Sequence, residues 1–143
     1  MYATRSARSG FSLIEIMVAI AIIALMAAVV APAVMRYFQG AKRSAALGSL
    51  RGFKQAISVY ELQTGQLPET LKDLVRRPSN ETVAANWQDG GYLTTKDIPK
   101  DPWTNNYQYR PTPEGEHPYD LYSYGPKGKG APRAEWINVW TAR

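Results

Sequence analysis

The sequence predicts an α+β protein: one long N-terminal helix, apolar in its first half and amphipathic in its second, packed against a small C-terminal antiparallel sheet. Three observations carry that expectation. Residues 11–35, FSLIEIMVAIAIIALMAAVVAPAVM, hold a single charge, Glu15. Ala46, Leu50, Phe53, Ile57 and Tyr60 then recur at spacings of 4, 3, 4 and 3, the interval of one helix face. After residue 105, short runs rich in aromatic and β-branched residues alternate with Pro, Gly and Asn turns, as antiparallel strands do. A chain of 143 residues at 45% hydrophobic suits one compact domain rather than two.

The first element is the apolar run. Its 25 residues would extend roughly 37 Å as a helix, enough for a bilayer core of about 30 Å. A secretory signal cut at Ala31-Pro32-Ala33 competes with a membrane span, but such signals have shorter apolar cores and no acid within them. A buried core helix is excluded because a domain this small cannot cover a surface apolar on every side. For a membrane span, flanking charge leaves orientation open, since Arg5 and Arg8 on one side face Arg36, Lys42 and Arg43 on the other.

Past Met35 the helix continues, with Lys42, Arg43, Arg51 and Lys54 on its polar positions. It is expected from near Phe11 to about Gln63, closing at Thr64-Gly65 with Gly65 in the left-handed cap conformation. Pro32 removes one backbone hydrogen bond and its ring crowds the preceding turn, so a bend or local melting is expected there. Gly40, Gly48 and Gly52 loosen the helix further; the Gly48–Gly52 spacing lies in a charged stretch and reads as chance or local close packing. A helix greasy at one end and striped at the other describes a shaft with a head folded on its distal part.

The head, residues 65–143, follows. Residues 67–75, LPETLKDLV, read as a short helix with Pro68 at its start and Leu71, Leu74 and Val75 on one face. The stretch RRPSNETVAANWQDGGYL reads as a long loop anchored by Trp87 and Tyr92. Strands are expected near 106–110, 119–124 and 136–141. In the last, alternation puts Trp136, Asn138 and Trp140 on one face and Ile137 and Val139 on the other. The aromatics are assigned to the core rather than to a ligand platform.

Composition excludes several function classes. With no cysteine there are no disulfides or thiolate metal sites. The 17 Lys and Arg against 12 Asp and Glu give +5, or +3 without Arg5 and Arg8, and no basic-aromatic stripe marks a nucleic-acid face. His117, the single histidine, lies between Glu116 and Pro118 in a turn-rich stretch and reads as a solvated loop residue. No nucleophile with its base, HExxH helix, phosphate-cradling Gly loop or GxSxG elbow is present, so the chain reads as no enzyme.

A short basic leader ending in Gly10, then Phe11, then Glu15 as the fifth residue of the remaining chain, then the apolar helix with Pro32: together these resemble the type IV pilin-like proteins. VYELQTGQLPETLKDLV, DGGYL with IPKDPWTNNYQYRP, and YDLYSYGPKGKG further resemble the major pseudopilins of type II secretion. The resemblance implies a leader over residues 1–10, cut by a prepilin peptidase between Gly10 and Phe11, with methylation of the new Phe11 amine. It implies a filament-core and membrane helix over 11–35, continued by its amphipathic half over 36–64. It also implies an inner-membrane, single-pass location with a cytoplasmic N-terminus and a periplasmic head. Implied partners are further copies in a helical filament, minor pseudopilins and the inner-membrane assembly platform, and the implied work is export through the outer-membrane secretin. An adhesive or motility pilin is the alternative within the class; a monomeric membrane-anchored binding domain is the alternative outside it.

Glu15 then has a physical reading. A carboxylate in hydrocarbon costs a few kcal/mol and marks a function and a partner. Leader removal creates that partner, a charged amine at Phe11 of a neighbouring subunit, and such a pair fixes register more than it adds stability. The bland reading is an acid snorkelling to the interface. The resemblance also implies calcium in the loop 125–136, with Leu121, Ser123 and Glu135 as candidate ligands. Lys127 and Lys129 stand where acids are expected, so an ammonium from either is expected to replace the ion by binding loop carbonyls or pairing with Glu135.

Overall fold

The computed structural model describes residues 10–141. The expected leader before Gly10, with Arg5 and Arg8, lies outside the described residues. The chain divides into two compact units between Gln39 and Gly40. Helix α1, Leu13–Thr64, contributes to both and runs without interruption through Pro32. It ends where Gly65 adopts φ 75°, with its N–H donating to Glu61 O at 2.8 Å.

In the second unit, the face of α1 formed by Ala46, Leu50, Phe53, Ala56, Ile57 and Tyr60 is buried, as the spacing required. Leu71, Leu74, Val83, Tyr107, Tyr119, Leu121, Ile137 and Val139 complete that core. An added Cβ at Gly48 or Gly52 would meet nothing within 4 Å, so no close packing explains their spacing.

The sheet is a three-stranded antiparallel meander: β1 (Gln108–Pro111), β2 (Tyr119–Ser123) and β3 (Ile137–Asn138). Tyr109 pairs with Leu121 and Ser123 with Ile137 in its register. Period-two alternation gives β2 its pattern, with Tyr119, Leu121 and Ser123 buried and Asp120 and Tyr122 half-buried. Asp120 faces Arg110 directly across the ladder, and their side chains meet at 3.2 Å.

Four expectations need correction. The 67–75 helix shrinks to a 3-10 turn, Leu71–Leu74, whose start is held by Thr70 N–H donating to Asp73 Oδ2 at 2.9 Å. The stretch expected to be loop contains a one-turn helix, α2 (Glu81–Ala84), because the Asn80 side chain caps it by accepting from Thr82 N at 3.1 Å. The third strand is two residues long: the Asn138 side chain turns back to accept from Trp140 N at 2.9 Å, which ends the ladder. His117 is not simply solvated. Its ring stacks on Trp140 with centroids 4.4 Å apart.

Trp87 and Tyr92 anchor their segment as expected. Trp87 Nε1 donates to Asp73 O at 2.8 Å, Tyr92 N to Leu74 O at 2.7 Å, and the Tyr92 ring meets Tyr60 edge-on at 5.2 Å. Trp140 fastens the other end of the chain: its Nε1 donates to Tyr119 O at 2.9 Å, and Lys54 Nζ lies 3.8 Å from its ring centroid.

Candidate functional site

Two places carry the residues singled out by the sequence, the start of α1 and the loop after β2. At the first, residues 10–12 are outside regular structure and the helix begins at Leu13. Ser12 caps it, with its Oγ accepting from Glu15 N at 3.2 Å and its carbonyl from Glu15 N at 3.1 Å. The pattern is Ser12-Leu13-Ile14-Glu15, the S-x-x-E signature of a helix start. Ser12 was not among the residues the sequence reading selected, although that signature marked it. Glu15 therefore sits in the first turn, where the positive end of the helix dipole favours an acid. None of the three ion pairs among the described residues involves it.

Around Glu15 everything is apolar and uncovered. The large hydrophobic side chains from Phe11 to Met35 range from 43% exposed at Val34 to 80% at Phe11 and Leu13. The helix is long and apolar enough to cross a membrane, and none of its most apolar stretch is buried. Twelve of these 25 residues are Leu, Ile, Val or Phe. At about 0.3–0.6 kcal/mol each on an insertion scale, they contribute roughly 4–7 kcal/mol toward leaving water, more than an acid near the end of the span costs.

At the second place, a buried carboxylate organises the loop. Asp101 is 4% exposed; its Oδ1 accepts from Trp103 N at 3.0 Å and Asn105 N at 2.8 Å, and its Oδ2 from Ser123 Oγ at 2.6 Å. Ser123 Oγ in turn accepts from Gly125 N at 3.0 Å. Above this hub, Lys127 Nζ donates to Glu135 Oε1 at 2.7 Å. Trp136 stacks face to face on Tyr122 at 4.4 Å, so this tryptophan packs on the sheet's half-exposed side rather than in the core.

The candidate calcium ligands each have a partner within the chain. The Leu121 carbonyl accepts from Val139 N at 3.1 Å, the Ser123 hydroxyl has both a donor and an acceptor partner, and Glu135 is paired. Among the described residues, no three His, Asp or Glu side chains gather as a metal site would require. A hard cation that takes 6–8 oxygens does not fit this donor set.

Residues 33–140 match the family described as type II secretion system (T2SS), protein G, and residues 5–31 match the prokaryotic N-terminal methylation motif. Type II secretion system core protein G of Pseudomonas aeruginosa is 41% identical over 128 residues, covering 87% of this chain and 88% of the relative. Its counterpart in Escherichia coli K12 is 38% identical over 124 residues, covering 84% and 83%. The crystal structure of the major pseudopilin from the type 2 secretion system of enterohaemorrhagic Escherichia coli aligns with a TM-score of 0.63 at 26% identity. That alignment covers 76% of this chain and 94% of that one. A capped apolar helix carrying the methylation motif, joined to a helix-and-meander unit that matches protein G almost end to end, places this chain in the type II secretion system protein G family, the major pseudopilins.

Proposed function

We propose that the protein is the polymerising subunit of the periplasmic pseudopilus, the filament whose growth drives exoproteins through the outer-membrane secretin. It is a structural part and has no catalytic role in this reading. The observation that carries the proposal is the start of α1: an uncovered apolar helix whose first turn holds a lone acid, the fifth residue after the Gly10–Phe11 bond. An uncovered surface of that kind is stable in two settings only, a bilayer and a bundle of like helices.

Residues 10–12 lie outside the helix, which leaves the Gly10–Phe11 bond accessible to a prepilin peptidase. Cleavage frees the Phe11 amine, which is methylated and remains charged. With the leader on the cytoplasmic side and the head in the periplasm, the subunit waits in the inner membrane as a single-pass protein. The assembly platform then moves it into the filament, where the Phe11 amine of one subunit neutralises Glu15 of its neighbour. Ser12 receives the Glu15 amide and so fixes where along the axis the first turn, with Glu15 in it, begins. Pro32 leaves one rung of the helix unmade, the place where α1 bends or opens as it leaves the bilayer. Minor pseudopilins cap the filament. Membership of the protein G family favours secretion over the adhesive or motility role that the sequence left open.

The test is a pair of measurements on cells carrying the full system. Mass spectrometry of the N-terminal peptide is expected to find N-methylated Phe11, and Glu15→Gln is expected to abolish filaments while leaving cleavage intact. Wild-type filament yield and secretion from Glu15→Gln or Glu15→Leu would remove the acid from the mechanism. An uncut leader in wild type would favour a monomeric tethered domain.

A further inference from the structure

The loop from Gly125 to Trp136 holds Lys127, Lys129 and Arg133 against the single carboxylate of Glu135, a formal charge of +2 before any ion arrives. A divalent cation brought there meets repulsion rather than a cage. Five of its other natural ligands, the loop carbonyls, already accept hydrogen bonds. Gly125 O accepts from Asn105 Nδ2 at 3.3 Å, Gly128 O from Ala131 N at 2.9 Å, and Ala131 O from Trp136 Nε1 at 2.9 Å. Pro132 O and Arg133 O accept from Glu135 N at 2.9 Å and Trp136 N at 3.2 Å. Gly128, at φ 63°, supplies the reversal that lets the chain fold back on itself between Lys127 and Glu135.

We propose that this loop is closed by the protein's own groups, the Lys127 ammonium on Glu135 above and the Asp101–Ser123–Gly125 hub below, so that the head is calcium-independent where the family resemblance implies a calcium site. The inference does not depend on the filament reading: a tethered monomer would carry the same fastening. Its two layers differ in kind. The lower one is buried and fixes the end of β2. The upper one is at the surface, with side chains 61% and 44% exposed, and acts by holding the loop shut rather than by adding much stability.

The experiment uses the full chain in detergent micelles. Thermal melts followed by circular dichroism are run in chelator and in calcium at about 5 mM, above the range in which extracellular calcium modules bind. The expected Tm difference is below about 1 °C, because a ligand that does not bind the folded state cannot stabilise it. Terbium is then titrated as a calcium surrogate, with Trp136 as the sensitiser, and no saturable emission is expected. Finally, trypsin cleavage after Lys129 is timed in wild type, Glu135→Gln and Lys127→Met. Either variant is expected to cut about two- to five-fold faster, the factor by which losing a surface ion pair shifts an opening equilibrium. A Tm that climbs several degrees with calcium, or terbium emission saturating at one ion per chain, would overturn the proposal. Unchanged cleavage in both variants would overturn the role given to the pair.

Discussion

Leu50 and Leu62 lie on the same helix and differ in their surroundings: Leu50 is 0% exposed and Leu62 85%. Replacing either with Ala removes the same three carbons and slightly improves intrinsic helix propensity. At Leu50, returning those carbons to water costs about 0.8 kcal/mol each, roughly 2.4 kcal/mol together. Leu50 shares its core with Phe53 one turn on, Ile57 two turns on and the buried residues of the sheet, which relax only partly into the space, so the cavity raises the cost to about 3–5 kcal/mol. At Leu62 the carbons are already in water and the change stays within about 0.5 kcal/mol. In a unit of this size each kcal/mol moves Tm by about 4–8 °C, so Leu50→Ala is expected to melt more than about 12 °C below wild type and Leu62→Ala within a few degrees of it. Circular dichroism of the two full-length variants in the same detergent measures the contrast. Similar shifts in both would refute the packing of the stripe against the sheet.

Two further outcomes follow from the head. Gly91 has φ 81°, and a Cβ there would come within 2.8 Å of Leu74 O, so Gly91→Ala is expected to lower Tm measurably, by about 1–3 kcal/mol of stability, whereas Gly130→Ala, with open space at its Cβ, lowers it far less. Burial first, then the charges of Asp73, Tyr92 and Glu69, pushes the Tyr60 phenol up to about 12, and burial followed by Glu61 does the same for Tyr119. The unfolded chain loses these protons near the ordinary value of 10.0, so between about 10 and 12 the folded state holds more protons. Stability is therefore fully present below pH 10 and falls as pH rises through that window. In difference spectra of wild type against Tyr60→Phe and Tyr119→Phe, the phenolate of the replaced tyrosine should appear together with loss of helix signal; its appearance near pH 10 in a still-folded protein would contradict the burial.

Much of this was legible because it is repetitive. A face that recurs five times needs no tertiary information, so the stripe from Ala46 to Tyr60 and the Gly65 stop could be read directly. The apolar run likewise declares itself by length. What escaped the reading depends on single side chains acting locally. One Asn80 cap makes a helical turn of Glu81–Ala84, and one Asn138 oxygen ends β3 two residues after it begins. The buried hub was invisible for another reason: Asp101 and Ser123 are 22 positions apart, and only the chain's path between them brings a carboxylate to a hydroxyl. Of the residues at the start of α1, Glu15 stood out by contrast with its neighbours. Ser12 carries the quieter signal of S-x-x-E, and the backbone shows which amide it receives.

The Trp140 clasp has a bearing on timing. The indole that receives Lys54 from the helix and His117 from the turn lies 86 residues after that lysine in the chain. A nascent chain therefore has its helix made before Trp140 can close on it. Completion of the fold must wait for residue 140, and a chain cut before Trp140 would be left without that clasp.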